Sequence, residues 1–161
     1  MSADLFLTAT PPLSMRDAVA AIITTMDGRY LVQLRDDLPG IWYPGHWGCF
    51  GGAVDAGETP EQSLRRELQE ELQLDAPVSS VFTQFDYDLR PIGQPKVFRL
   101  YYEVRIAESD VAKFVLGEGA AMELVPAAEL LINRPVTPYD AFAIWMHAQQ
   151  HRLCRFGQDD N

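Results

Sequence analysis

The sequence predicts a single α/β domain. Three observations point there. β-prone runs alternate with two strongly capped helical segments, no linker or low-complexity tract divides the 161 residues, and 47% apolar with 22% charged residues is ordinary globular composition. A chain of this length can bury a core without disulfide or zinc staples.

Residues 1–15, with Pro11 and Pro12, read as a tail, the domain is expected over 16–153, and a second tail over 154–161. Ala18–Met26 and Tyr30–Arg35 are β-prone runs around Asp27-Gly28, a hairpin signal because both turn positions favour positive φ. Asp36–Gly48 carries Pro39, Gly40, Pro44, Gly45 and Gly48 and reads as a long loop. Its Trp42, Tyr43 and Trp47 are unusual in a mere connection. Trp47–Gly52 predicts a short strand.

Thr59 as N-cap, Pro60 at the first helical position and Gln62 completing a capping box predict a helix that runs to Leu72. Leu64, Leu68 and Leu72 give it one buried stripe. Val78–Leu89 and Val97–Ile106 read as strands joined by a turn through Pro91, Gly93 and Pro95. Met122–Val125 is a short strand and Pro126–Leu131 a brief helix. Thr137-Pro138 opens a last helix ending near Leu153, with Phe142 and Trp145 as its core face.

Composition also excludes. No apolar run is long enough for a membrane span. The N-terminus lacks the basic and apolar regions of a signal peptide. Cys49 and Cys154 lack metal-ligand spacing and suit a reducing, cytoplasmic setting. The net charge of −10 argues against an extended nucleic-acid surface, although not against a small phosphate substrate met through a bound cation.

The chemistry concentrates in residues 52–74, GAVDAGETPEQSLRRELQEELQL. Glu67, Glu70 and Glu71 fall at i, i+3 and i+4, one side of a helix, where three negative charges need compensation. Mg²⁺ or Mn²⁺ takes such oxygen ligands together with substrate phosphate. Gly52, where a strand breaks into the loop, can offer a backbone carbonyl to the same ion. Arg66, eight residues after Glu58, is placed to tie loop to helix as an ion pair that orients ligands.

These offsets resemble the signature of the Nudix hydrolase family: glycine, five residues, Glu, seven residues, Arg-Glu, an aliphatic, one residue, Glu-Glu, one residue, glycine, an aliphatic. Residues 52–74 match it except that Gln73 stands at the last glycine, which puts the helix C-cap geometry in question. Phe50 replaces a proline common in the family, a packing difference. The resemblance implies an α/β/α sandwich with a mixed sheet and Mg²⁺-dependent (or Mn²⁺-dependent) hydrolysis of the diphosphate bond in a nucleoside triphosphate or a nucleoside diphosphate derivative such as a nucleotide sugar. Carried over, Gly52, Glu67, Glu70 and Glu71 are the expected metal ligands, and Arg66, Glu67 and Glu70 the catalytic group. The family's general base comes from the box helix or from a glutamate on a later loop, for which Glu118 between Gly117 and Gly119 is the candidate, ahead of Glu103 and Glu123. Arg35 is a candidate for substrate phosphate or for a salt bridge with Asp36 or Asp37, and Trp42, Tyr43 and Trp47 for stacking on a base or sugar or for packing the long loop against the body. The alternative is a nucleotide-binding sensor of the same fold. The expected partner is a small nucleotide rather than nucleic acid or membrane, with a homodimer possible.

Overall fold

The computed structural model describes residues 18–75, 80–88, 90–92 and 96–153. Both expected tails, Cys154, and Gly93 and Pro95 of the expected turn lie outside these residues, as do Val78 and Leu89. The chain order is β1 (Ala18–Thr24), β2 (Arg29–Leu34), β3 (Trp47–Gly48), α1 (Pro60–Leu72), β4 (Ser80–Asp88), β5 (Lys96–Arg105), β6 (Ala121–Pro126), α2 (Ala127–Asn133) and α3 (Pro138–Leu153). A 3-10 segment over Glu108–Lys113 was not expected from sequence.

A strand has two hydrogen-bonding edges. β6 occupies one edge of β2 along its whole length, antiparallel from Arg29–Pro126 to Leu34–Ala121. β1 and β3 must therefore share the other. β1 holds it at the hairpin end, pairing Ile23 with Leu31, and β3 takes over at Gln33 and Leu34. Past β3 the chain crosses to β1, where the Val19 and Ala21 amides donate to the Gly52 and Phe50 carbonyls, both at 2.9 Å. Residues 47–53 are thus wedged into an opened hairpin. β5 runs parallel to β1 and β4 closes the far edge antiparallel, so the sheet is mixed.

Alternation along the central strands sorts two cores. Val19, Ala21 and Ile23 face Leu64, Leu68 and Leu72 of α1, whereas Ala20 and Ile22 face Leu130 of α2 and Ala143 and Ile144 of α3. Burial on both faces explains why β1 reads as a continuous apolar run. The result is the α/β/α sandwich that the resemblance implied. No described helix is long and apolar enough to cross a membrane.

One expectation fails in α3. Phe142 and Trp145 are 44% and 47% exposed, stacked on each other rather than buried. The helix instead turns Tyr139, Ala143 and His147, with Asp140 and Ile144, inward at i+4 spacing. Ring size was a misleading cue, because the buried stripe includes the polar Asp140 and His147.

Candidate active site

α1 begins as its caps dictate. The Thr59 side chain accepts from the Gln62 amide and the Gln62 side chain accepts from the Thr59 amide, so both arms of the capping box form. At the other end Gln73 adopts the left-handed conformation (φ 53°, ψ 33°) that glycine would supply. The Gln73 amide donates to Gln69 O at 3.0 Å and the Leu74 amide to Leu68 O at 3.1 Å. The cap survives the departure, at the steric cost of a side chain in that region.

The three helix glutamates take distinct positions. Glu71 is 4% exposed and accepts from the Gly51 amide at 2.8 Å and from the Gln33 side-chain amide at 3.1 Å. Burial pushes its carboxyl up to about 7, aided by Glu67 and Glu118 and opposed by those two hydrogen bonds. Glu67, one turn earlier, is also raised by burial, while its bond from Arg66 at 2.8 Å pulls the other way. Its carboxylate packs over Gly52, whose missing side chain would meet it at 2.5 Å. Glu70 points outward, 58% exposed at its side chain, toward Arg66 at 3.3 Å.

Arg66 joins the parts. Its Nε and Nη2 donate to the two Glu58 oxygens at 2.9 and 3.1 Å, its Nη2 also reaches Ala53 O at 3.1 Å, and its Nη1 serves Glu67 and Glu70. The Arg66–Glu58 pair is the one the spacing suggested. The guanidinium reaches back to its own neighbour Glu67 as well, although the two side chains leave the helix 100° apart.

Glu118 arrives from a distant loop that is fastened to α1. The Val115 amide donates to Leu72 O at 3.2 Å and the Gly117 amide to Glu71 O at 2.8 Å. These bonds occupy carbonyls that the end of a helix leaves unpaired. Gly117 is required for this approach, since a Cβ there would lie 2.2 Å from Glu70 O. Glu67, Glu71 and Glu118 consequently line one cavity of about 820 Å³.

Other walls of that cavity carry Arg35, Lys96 and Arg99, together with Trp42 and Tyr139. Arg35 donates through Nε to Trp42 O at 2.6 Å rather than pairing with Asp36 or Asp37. Tyr43, at a positive φ of 51°, does not line the cavity but packs edge-on behind Tyr139, ring centroids 5.7 Å apart. Trp47 lies away from it in the second core, beneath the Arg134 guanidinium at 4.8 Å. Glu103 accepts from His147 at 2.9 Å and Glu123 pairs with Arg134, so neither weaker candidate reaches the cavity. Cys49 is buried and its thiol is pushed well up by burial, which makes it inert packing.

Gln33, Lys96, Arg99 and Tyr139 were missed by reading the sequence. Gln33 had a signal, a polar residue in the otherwise apolar YLVQL run. The others had none, because β5 and α3 reach the cavity only through the parallel β1–β5 pairing.

A family profile described as NUDIX domain matches residues 14–145. The chain belongs to the Nudix family. Curated Nudix relatives match over shorter stretches. An RNA pyrophosphohydrolase of Gluconacetobacter diazotrophicus is 39% identical over 75 residues, 45% of each chain. The nucleoside triphosphatase NudI of Escherichia coli is 48% identical over 46 residues, 29% of this chain and 32% of that one. The chain therefore matches less than half the length of either relative. Among solved structures, the MutT protein of Methanosarcina mazei aligns with a TM-score of 0.69 at 18% identity, covering 89% of this chain and 99% of its own. The Nudix domain of Shewanella oneidensis NrtR, complexed with ADP ribose, also gives 0.69 at 18% identity, covering 94% and 99%. These structural likenesses speak for the fold.

Proposed function

We propose that this Nudix protein is a pyrophosphohydrolase that cleaves the diphosphate bond of a nucleoside triphosphate or a nucleoside diphosphate derivative such as a nucleotide sugar. The observation that carries this reading is the meeting of Glu67, Glu71 and Glu118, from two separate parts of the chain, in a cavity whose other walls include the cations Arg35, Lys96 and Arg99 and the rings of Trp42 and Tyr139.

Among the described residues no three acidic, histidine or cysteine side chains form a ready cation cage. Arg66 holds Glu67 and Glu70, and Glu71 rests on Gly51 and Gln33. The donor set nonetheless fits a hard divalent ion. It is all oxygen, and it contains a buried carboxyl, Glu71, that only neutral donors offset. Glu67, Glu70, Glu71 and the Gly52 carbonyl are the residues that would hold Mg²⁺ or Mn²⁺. When bound, that ion neutralises phosphate charge and acidifies a water. The Gly52 carbonyl already accepts from Val19 and keeps its second lone pair for this role.

The chain's own residues supply the rest. Arg66 fixes the Glu67 and Glu70 carboxylates against the loop bearing Glu58. A Glu118 oxygen takes the proton of the attacking water as general base. Arg35 presents its guanidinium to a phosphate, and Trp42 covers a flat or sugar face.

The test is release of phosphate or pyrophosphate from a nucleotide panel with Mg²⁺. Glu70→Gln is expected to lose several orders of magnitude in turnover with an unchanged circular dichroism spectrum. Nucleotide binding without any cleavage, equal in wild type and Glu70→Gln, identifies a binding module instead.

A further inference from the structure

Arg99 is 8% exposed, yet it lines the cavity. Burying a guanidinium is costly unless its charge and its hydrogen bonds are both met. Here the charge is met, and the Nε–H is not. Asp140 Oδ1 lies 3.7 Å from Arg99 Nε, beyond hydrogen-bond length. The Asp140 carboxylate is already taken by the Tyr101 hydroxyl at 2.9 Å, the Thr137 hydroxyl at 2.8 Å and the Cys49 amide at 3.0 Å. The Arg99 Nε–H is shielded from solvent and has no acceptor among the described residues, and Arg99 meets the cavity through the rest of its side chain. The guanidinium carbon sits 4.6 Å from the centre of the Tyr139 ring, a cation–π contact that holds the side chain at the cavity wall.

Position separates this fork from the carboxylates. Arg99 pairs across β5–β1 with Ala18, and Ala18 bridges to Ala53. Two strand spacings put the Arg99 backbone about 10 Å from the Gly51–Ala53 turn. A substrate with its phosphates beside Glu67 and Glu71 brings its far end to Arg99. Arginine carries donors only, so that end must present acceptors.

We infer that Arg99 is a specificity-determining residue that reads the acceptor edge of the substrate's base and selects 6-keto purine nucleotides over adenine nucleotides; this rests on the pyrophosphohydrolase reading. Guanine and hypoxanthine present O6 and N7, two coplanar acceptors that match an arginine fork. Adenine puts the N6 donor where O6 stood and meets N–H with N–H. Pyrimidines offer at most one acceptor on the corresponding edge. In a desolvated site an unmet donor makes that rejection steep.

The test is kcat/KM for GTP, ITP and ATP with Mg²⁺, for wild type, Arg99→Lys and Arg99→Gln. Wild type is expected to use GTP and ITP alike, each roughly ten-fold or more better than ATP. Arg99→Gln, whose amide complements adenine N6 and N7, is expected to erase or invert that ratio, and Arg99→Lys to fall between. Equal wild-type values for GTP and ATP overturn the inference. So does a uniform loss for all three nucleotides in Arg99→Gln, the result of a phosphate contact or a purely structural Arg99–Asp140 pair. Should Arg99→Gln fail to fold, calorimetric binding of GMP and AMP to wild type decides the matter: preference for GMP supports the inference and equal affinity overturns it. Cleavage without base preference defeats this inference alone, whereas GMP preference without cleavage of any nucleotide defeats the enzyme reading alone.

Discussion

Glu71 and Asp140 are buried almost equally, at 4% and 2% exposure, and their surroundings are opposite. Asp140 receives two hydroxyls and an amide and has the Arg99 charge beside it. Glu71 receives only an amide and a glutamine side chain, with two like charges nearby. Burial alone therefore does not tell a structural acid from a functional one. The count and sign of its partners do: the completed carboxylate fastens α3 to the sheet, and the undercompensated one is suited to receive a cation.

The sharpest way to break this contrast is to remove each acid. Asp140→Ala strands a buried guanidinium and three donors, so it is expected to cost about 3–5 kcal/mol in chemical denaturation. Glu71→Gln keeps the shape of the side chain but offers one acceptor oxygen to the Gly51 and Gln33 donors, so it is expected to cost about 1–2 kcal/mol at neutral pH, well below Asp140→Ala. Its Mg²⁺-dependent turnover is expected to fall on the order of 10²-fold or more. Equal losses of stability in the two variants would erase the distinction.

Titration gives a finer test. The Glu71 carboxyl rises from 4.5 to about 7 on folding. Between those values the folded protein binds more protons than the unfolded chain, so stability falls as pH rises through that window. The contribution is complete below the unfolded value and lost above about 7. In EDTA, wild type should lose on the order of 2–3 kcal/mol between pH 4.5 and 7.5 from this group. Glu71→Gln should lack that part of the slope. The smallest effect lies at the helix end: Gln73→Gly relieves a left-handed side chain and is expected to stabilise by about 0.5–1 kcal/mol, read from the denaturation midpoint.

The same contrast explains what could be read in the sequence. α1 was legible to the residue, Pro60–Leu72, because capping and leucine spacing are local chemistry. The places of Glu67, Glu70, Glu71 and Arg66 on that helix were legible for the same reason, but not that Glu70 turns outward while Glu67 and Glu71 face the cavity. Arg99 and Asp140 were not, since they lie 41 positions apart and meet only once β5 has paired with β1 and α3 has packed on that face. Trp47 was read as a possible ligand wall because the sequence does not show which way a two-residue strand turns its ring. Phe142 and Trp145 were read as core because size outweighed helical phase.

The bonds from Val115 and Gly117 to the last carbonyls of α1 have a mechanical consequence. They make the distance between Glu71 and Glu118 a property of one clamp rather than of two mobile segments. Residues inserted upstream, around Lys113, can bulge outward without altering that distance. One residue inserted between Gly117 and Glu118 would shift the far carboxylate by a full backbone step, while the clamp itself stayed closed. The loop is thus tolerant of length on one side of Gly117 and intolerant on the other.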